Sequence, residues 1–408
     1  MDICITPSKL SGRVEIPSSK SCAHRALICA ALAQGSSVIS GVSMSKDIEA
    51  TISAMSALGA AFSVDGDRIT VDGIRSNCDK AVIDCNESGS TLRFIIPIAA
   101  ALGTNAEFIG RGRLPLRPID IYKRELTKNG AEFITEEMPY IISGNLRGGR
   151  YEIEGDVSSQ FVSGLIFALP LLDDDSEIVL TSHLESRPYV DITIDILRRF
   201  GIEIKETENG FFIKGGQKYT PHNEKIEGDF SQAAFFYVAN ALGCNIELGN
   251  LNENSVQGDK RIIRILEETC SDSHIGSFTV DCSDIPDLVP ILTVLASFGT
   301  EKSVIYNAKR LKIKESNRLE TSASLVNSLG GNVEITDDGL IIHPEHNMHG
   351  GEVNSFGDHR IVMAAAVAAS AVSGSVIIRG AEAAEKSYPD FFKDYTQLGG
   401  KINVINLE

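Results

Sequence analysis

The stretch PSSKSCAHRALICAALA, residues 17–33, puts Lys20, Ser21 and Arg25 at the opening of an otherwise apolar helix. A helix N-terminus offers backbone N–H groups without intrahelical partners and the positive end of the dipole, so cations and hydroxyls gathered there suit anions. Five more apolar helices open in the same way. ESGSTLR carries Gly89, GDVSSQ carries Ser158, Ser159 and Gln160, EGDFSQ carries Ser231, DIPD carries Asp287, and GDHR carries Asp358 and Arg360. Taken alone, Ser159, Ser231, Asp287 and Asp358 each read as an ordinary N-cap. Six mouths of one composition read together as faces primed for negatively charged ligands. Further cations stand in connecting segments: Arg117 in LPLRPID, Lys314 and Arg318 in KIKESNR, and Lys386 in AEKSYPD. Singly each reads as a solvated charge, and Glu315 and Arg318 have the i,i+3 spacing of a helical pair. Gathered away from water they call for an anionic partner, because a buried charge without one is costly.

The elements that must position these residues recur along the chain. Apolar helices are expected from His24, Ser90, Ser159, Ser231, Pro286 and Asp358, each apolar on nearly every face and therefore buried. Between them lie amphipathic helices that stop on a glycine and run into a strand pair. Gly59, Gly130 and Gly201 are spaced 71 residues apart, and Gly330 and Gly399 are 69 apart. A glycine there suits the left-handed residue that ends a helix. The fourth copy, RIIRILEETCSDSHIGSFTV, is degenerate and lacks that glycine. The pattern predicts six α/β units, three in each of two domains, since 408 residues exceed one ordinary core. A linear solenoid is the alternative arrangement. The polar stretch GGQKYTPHNEKIEG, residues 215–228, is the expected hinge.

Composition narrows the function. The chain carries 38 basic and 55 acidic residues, a formal charge of −17, with no basic block, so nucleic-acid binding is not expected. The opening MDICITPSKLSGRVEI has the pattern of a strand rather than of a signal peptide, and no apolar run suggests a membrane span. The eight cysteines are scattered without a CxxC pair, as expected for reduced thiols in the cytoplasm. His343, His346 and His349 cluster but have no cysteine or second histidine group nearby, so zinc is not expected.

The motifs SKSCAHRA, SGSTLR, LRPID, SSQFVSGL, ESRPYVDIT, EGDFSQAAFF, DIPD, KIKESNRL, GDHRIVMA and KSYPDFF, in that order, resemble the 5-enolpyruvylshikimate-3-phosphate synthase family, the 3-phosphoshikimate carboxyvinyltransferases. The resemblance implies an α/β, two-domain enolpyruvyl transferase fold, an inverted α/β barrel of six βαβαββ units with three per domain. It implies domain I at 1–17 and 226–408, domain II at 18–225, and an active site in the cleft between them. The implied reaction moves the enolpyruvyl group of phosphoenolpyruvate onto the 5-hydroxyl of shikimate 3-phosphate by addition and elimination through a tetrahedral intermediate. No metal or organic cofactor, nucleic acid or membrane is implied, and the protein is expected to be a cytoplasmic monomer. By matching motifs, Lys20, Ser21, Arg25, Ser158, Ser159, Gln160, Ser186, Tyr189, Asp287 and Lys314 are expected to hold shikimate 3-phosphate. Lys20, Gly89, Arg117, Gln160, Arg318, Arg360 and Lys386 are expected to hold phosphoenolpyruvate. Asp287 is the expected general base, Glu315 the group that protonates the methylene carbon and later removes that proton, and Lys20 a participant in proton transfer to departing phosphate.

Two positions depart from the family pattern: Glu87 and Arg310 stand where asparagine is common. Two other readings share the scaffold. A UDP-N-acetylglucosamine enolpyruvyl transferase would carry a cysteine shortly before its RP motif, whereas NAEFIGRGRLPLRPID has none. An inactive anion-binding protein would be expected to lose Asp287 or Glu315, and both are present.

Overall fold

The computed structural model describes residues 1–76, 78–271 and 274–405. The chain divides into two compact units. The first combines Met1–Pro17 with the chain from Gly228 onward, and the second is Ser18–Glu227. The second unit holds helices α1 (Lys20–Leu32), α2 (Lys46–Ala57), α3 (Gly89–Ala101), α4 (Asp120–Lys128), α5 (Ser159–Ala168) and α6 (Arg187–Arg199). The first holds α7 (Phe230–Ala241), α8 (Arg261–Thr269), α9 (Val289–Ser297), α10 (Arg318–Ser328), α11 (His359–Ala368) and α12 (Phe391–Gln397).

The repeating unit is plainest around α3 and α4. Strand Lys80–Asp84 leads into α3, Asn105–Ile109 pairs parallel to it, and α4 is followed by the hairpin Ala131–Phe133 and Tyr140–Gly144. Tyr140–Gly144 lies antiparallel between Asn105–Ile109 and Ala131–Phe133, giving a four-stranded βαβαββ sheet. The same order returns in the sheets that begin at Arg150–Ile153 and Thr279–Asp281. Elsewhere a strand arrives from far along the chain. Glu224–Lys225 pairs parallel with Ser36–Ser40, Ser11–Glu15 pairs parallel with Asn245–Gly249, and Asp2–Thr6 lies between Val376–Arg379 and Lys401–Ile405. In the degenerate fourth copy, Cys270–Ser271 pairs only with His274–Ile275 among the described residues. Residues 272–273 of that copy lie outside the described residues.

Local sequence accounts for the helices. α1 is buried from Cys22 to Leu32, His24 and Arg25 included, so no face of it is left to solvent beyond its first turn. α6 instead buries Val190, Ile192, Thr193, Ile196 and Leu197 on one face and leaves its charges half-buried or exposed. The chain after α2, α4, α6, α10 and α12 reverses at Gly59, Gly130, Gly201, Gly330 and Gly399, with φ from +80° to +107°, a region that only glycine enters without strain. Each unit has its own core. Phe94, Phe161 and Phe167 belong to that of the second, and Phe236, Tyr388 and Phe391 to that of the first.

The stretch 215–228 holds the boundary between the two units, which falls at Glu227 and Gly228 rather than at 225 and 226, and most of the stretch is built into the second unit: Tyr219 is buried with its hydroxyl donating to the Phe167 carbonyl at 2.7 Å, and the His222 N–H donates to Ser37 Oγ at 3.1 Å. The N-cap readings need correction. Of the four residues read as N-caps, only Asp358 is one. α5 is capped by Ser158 and α7 by Asp229, each extended in backbone with its side chain accepting from first-turn N–H groups. Asp287 sits in the 3-10 turn Pro286–Leu288, and α9 begins after it at Val289. No helix among the described residues is long and apolar enough to cross a membrane.

Candidate active site

In the first unit, the mouths of α9, α10 and α11 meet around one guanidinium. Arg318, the first residue of α10, has a side chain only 1% exposed, and each of its nitrogens donates to a different carboxylate. Nη1 reaches Asp287 Oδ1 at 2.6 Å, Nη2 reaches Glu315 Oε2 at 2.7 Å, and Nε reaches Asp358 Oδ2 at 2.9 Å. Asp358, itself fully buried, caps α11 by accepting the Arg360 N–H and also accepts from Ser316 Oγ at 2.9 Å. Arg360 donates through Nη2 to Asp287 Oδ2 at 2.8 Å and to Ser231 Oγ of α7 at 3.2 Å. Asp287 is thus held by two arginines, one on each oxygen.

The electrostatics follow from this crowding. Burial pushes the Asp287 carboxyl upward, but Arg360, Arg318 and Lys314 outweigh it and hold the group well below the usual carboxylate range. Burial draws Lys314 down to about 8 against the opposing pull of Asp287. A carboxylate ionised at neutral pH therefore stands beside an ammonium that can lose its proton near pH 8. Lys386, at the end of the 3-10 segment Ala381–Lys386, donates to the Gly357 carbonyl at 2.9 Å, next to the α11 cap.

In the second unit, α1, α3, α5 and α6 bring their first turns together. Arg25 is buried and donates through Nε to Thr193 Oγ1 at 2.7 Å, through Nη1 to the Ser21 carbonyl at 2.8 Å, and through Nη2 to the Tyr189 carbonyl at 2.9 Å. Its guanidinium also lies over the Phe94 ring at 5.1 Å. Burial lowers Arg25 to about 10, so it remains a cation at neutral pH. Lys20 donates to Asp47 Oδ2 at 2.7 Å, with both side chains mostly covered. Ser186, at the start of α6, is buried in the left-handed conformation at φ 55°, a strained backbone for serine.

Ser158 and Ser159 open α5, and Gln160 follows in its first turn with Nε2 donating to Ser90 Oγ at 2.9 Å. Arg117 lies directly over Gly89, where an added Cβ would stand 2.3 Å from Nη1 and 2.6 Å from Cζ. Any side chain there would have to displace that guanidinium.

The chain matches the family model for EPSP synthase (3-phosphoshikimate 1-carboxyvinyltransferase) over residues 5–395. It belongs to this family. The 3-phosphoshikimate 1-carboxyvinyltransferase of Clostridium kluyveri is 45% identical over 418 residues, covering 98% of each chain. The enzyme of the same name from Clostridium perfringens strain SM101 is 44% identical over 416 residues, again covering 98% of each. The solved structure of EPSP synthase from Acinetobacter baumannii has the same fold, with a TM-score of 0.84 at 23% identity over 99% of this chain and 100% of that one. The two-domain enolpyruvyl transferase fold expected from the motifs is therefore the fold of this EPSP synthase family member.

The residues singled out by the EPSP synthase motifs fall into two groups, one per unit. Asp287, Lys314, Glu315, Arg318, Arg360 and Lys386 lie in the first, and Lys20, Ser21, Arg25, Gly89, Arg117, Ser158, Ser159, Gln160, Ser186 and Tyr189 in the second. Sequence reasoning missed the partners of several of these. Asp47 pairs with Lys20, Asp358 orients Arg318 and Thr193 receives Arg25. The first-turn acid of α2 was the one available signal for Asp47. At the two departures from the family pattern, Glu87 rests against Gly112, where a Cβ would come within 2.7 Å of its Cδ, and Arg310 donates through Nη2 to the Ser283 carbonyl.

Proposed function

We propose that this protein transfers the enolpyruvyl group of phosphoenolpyruvate to the 5-hydroxyl of shikimate 3-phosphate and releases phosphate. The observation that carries the reading, beside family membership, is Asp287: an ionised carboxylate gripped by Arg318 and Arg360 and flanked by Lys314. Incubation with phosphoenolpyruvate is expected to release phosphate with shikimate 3-phosphate and not with UDP-N-acetylglucosamine. The opposite acceptor preference, or release with neither acceptor, overturns the reading.

The mechanism follows from the residues. Arg117, Arg318, Arg360 and Lys386, with Gly89, hold the phosphoenolpyruvate anion, the arginines by paired N–H donors and the lysine as a point charge. Ser21, Arg25, Ser158, Ser159, Ser186, Tyr189 and Lys314 hold shikimate 3-phosphate, and Lys20 and Gln160 reach both. Asp287 accepts the proton of the 5-hydroxyl as it attacks C2 of phosphoenolpyruvate, while Glu315 protonates the methylene carbon. In the elimination Glu315 takes a proton back from the new methyl group, and Lys20 protonates the departing phosphate. The cytoplasm is the compartment that eight cysteines, all of them thiols, support.

Two predictions follow from this chemistry. Gly89→Ala pushes a methyl group into the Arg117 guanidinium, so the KM for phosphoenolpyruvate is expected to rise by about ten- to hundredfold, the worth of a charge-assisted contact. The melting temperature should move little, and an unchanged KM would remove Arg117 from the donor site. The second concerns pH. Lys314 loses its charge as pH rises through about 8, so shikimate 3-phosphate affinity is expected to fall above that value. The decline is limited to about tenfold per pH unit by a single proton. Titration calorimetry should show it in the parent and not in Lys314→Met. A parent whose affinity is flat from pH 7 to 9 contradicts the role given to Lys314.

A further inference from the structure

Arg93 is absent from the groups assigned above, yet it touches one of them directly. It lies on α3, one turn beyond Gly89, and is buried. Nη1 donates to Gln160 Oε1 at 2.8 Å and Nη2 donates to the Pro118 carbonyl at 3.0 Å. The guanidinium stacks over the Phe161 ring with Cζ at 5.0 Å from its centre. The backbone around it is also held, because the Tyr122 hydroxyl shares its one proton between the Arg93 carbonyl at 2.8 Å and the Phe161 carbonyl at 2.9 Å.

Chemistry turns this contact into a constraint. A guanidinium has donors and no acceptor, so the amide of Gln160 can face it only with its oxygen. The nitrogen of that amide must then point the other way. One of its hydrogens goes to Ser90 Oγ at 2.9 Å, and the second is left for whatever sits at the half-buried opening of α5. A flipped amide would instead present its oxygen there and repel an anion. The second arm of the same fork anchors Pro118, the residue after Arg117.

We propose that Arg93 is a positioning residue that presents Gln160 as a hydrogen-bond donor to the anionic substrates and anchors the chain at Pro118 beside Arg117. The inference rests on the function proposed above and deepens it. It assigns the donor character of Gln160 to a side chain that need not touch substrate. The single ammonium of a lysine cannot span both acceptors, so charge alone does not substitute for the fork.

The test is a mutant cycle read by steady-state kinetics with phosphoenolpyruvate and shikimate 3-phosphate. Arg93→Met keeps an apolar chain on Phe161 and removes both donors; it is expected to raise the KM for phosphoenolpyruvate by about tenfold or more. Arg93→Lys is expected not to rescue it. Gln160→Ala should be costly in the parent but change the Arg93→Met enzyme by less than about threefold, because a group acting through another gives non-additive effects. Additive effects, or a KM equal to that of the parent, overturn the inference. If Arg93→Met does not fold, Arg93→Lys takes its place in the same cycle. An inactive parent instead overturns the proposed function, so the two failures are told apart.

Discussion

Asp287→Asn is expected to lower turnover by roughly 10²–10⁴, the usual worth of a positioned general base. The substitution preserves shape and one acceptor, while removing the only feature a base requires, a lone pair basic enough to take the hydroxyl proton. Asp287 is ionised because Arg360 and Arg318 hold it so against burial, and an asparagine in their grip keeps one of those two contacts. Substrate affinity should therefore change only modestly, and the loss should fall on kcat rather than KM. Turnover within about threefold of the parent would show that the base is another group, with Glu315 the next carboxylate to replace.

Arg318→Leu is expected to have the largest effect on stability. It would take away the cation that Asp287, Glu315 and Asp358 share, leaving Asp287 with Arg360 on one oxygen only, and Asp358 has no exposed surface through which water could compensate. Removing one partner from a buried ion cluster costs about 3–5 kcal/mol. The pH dependence has a definite sign. In the parent, the depressed Asp287 contributes stability above the ordinary aspartate value of 3.8, and that contribution is lost as pH falls below it. The variant keeps only the part of that contribution that Arg360 and Lys314 supply, and it also relieves its crowded carboxylates by protonation. The gap between parent and variant should therefore be widest near neutrality and narrow in acid. Urea unfolding at neutral and acid pH measures both; equal midpoints at neutral pH would contradict the assigned role of Arg318.

Much of this was legible in the sequence, for reasons that are local. The glycines that end the amphipathic helices mark left-handed residues, and Gly59, Gly130, Gly201, Gly330 and Gly399 all have positive φ. The helix mouths were legible because Ser, Lys, Arg and Asp are conspicuous ahead of apolar runs. Which residue caps was less so: in GDVSSQ the two serines are chemically alike, and only the backbone path selects Ser158. Pairings across sequence were not legible at all. Nothing in the spacing of Lys20 and Asp47, or of Arg318 and Asp358, says that they meet, because ion-pair partners carry no periodicity. Arg93 was hidden for a related reason. Within an apolar helix it reads as an isolated charge until Gln160 and Pro118 are seen beside it.

The borrowed strands set the order in which this chain can be finished during synthesis. Asp2–Thr6 is made early, yet both of its neighbours, Val376–Arg379 and Lys401–Ile405, are made only after the whole second unit. Until then that segment has two open edges, the state in which strands pair with the wrong chain. The second unit meets no such delay, since its last strand, Glu224–Lys225, closes onto Ser36–Ser40 long before the remainder is translated. One unit can therefore mature on the ribosome while the other waits for its later strands, and the waiting segment is the one a nascent-chain chaperone has most reason to cover.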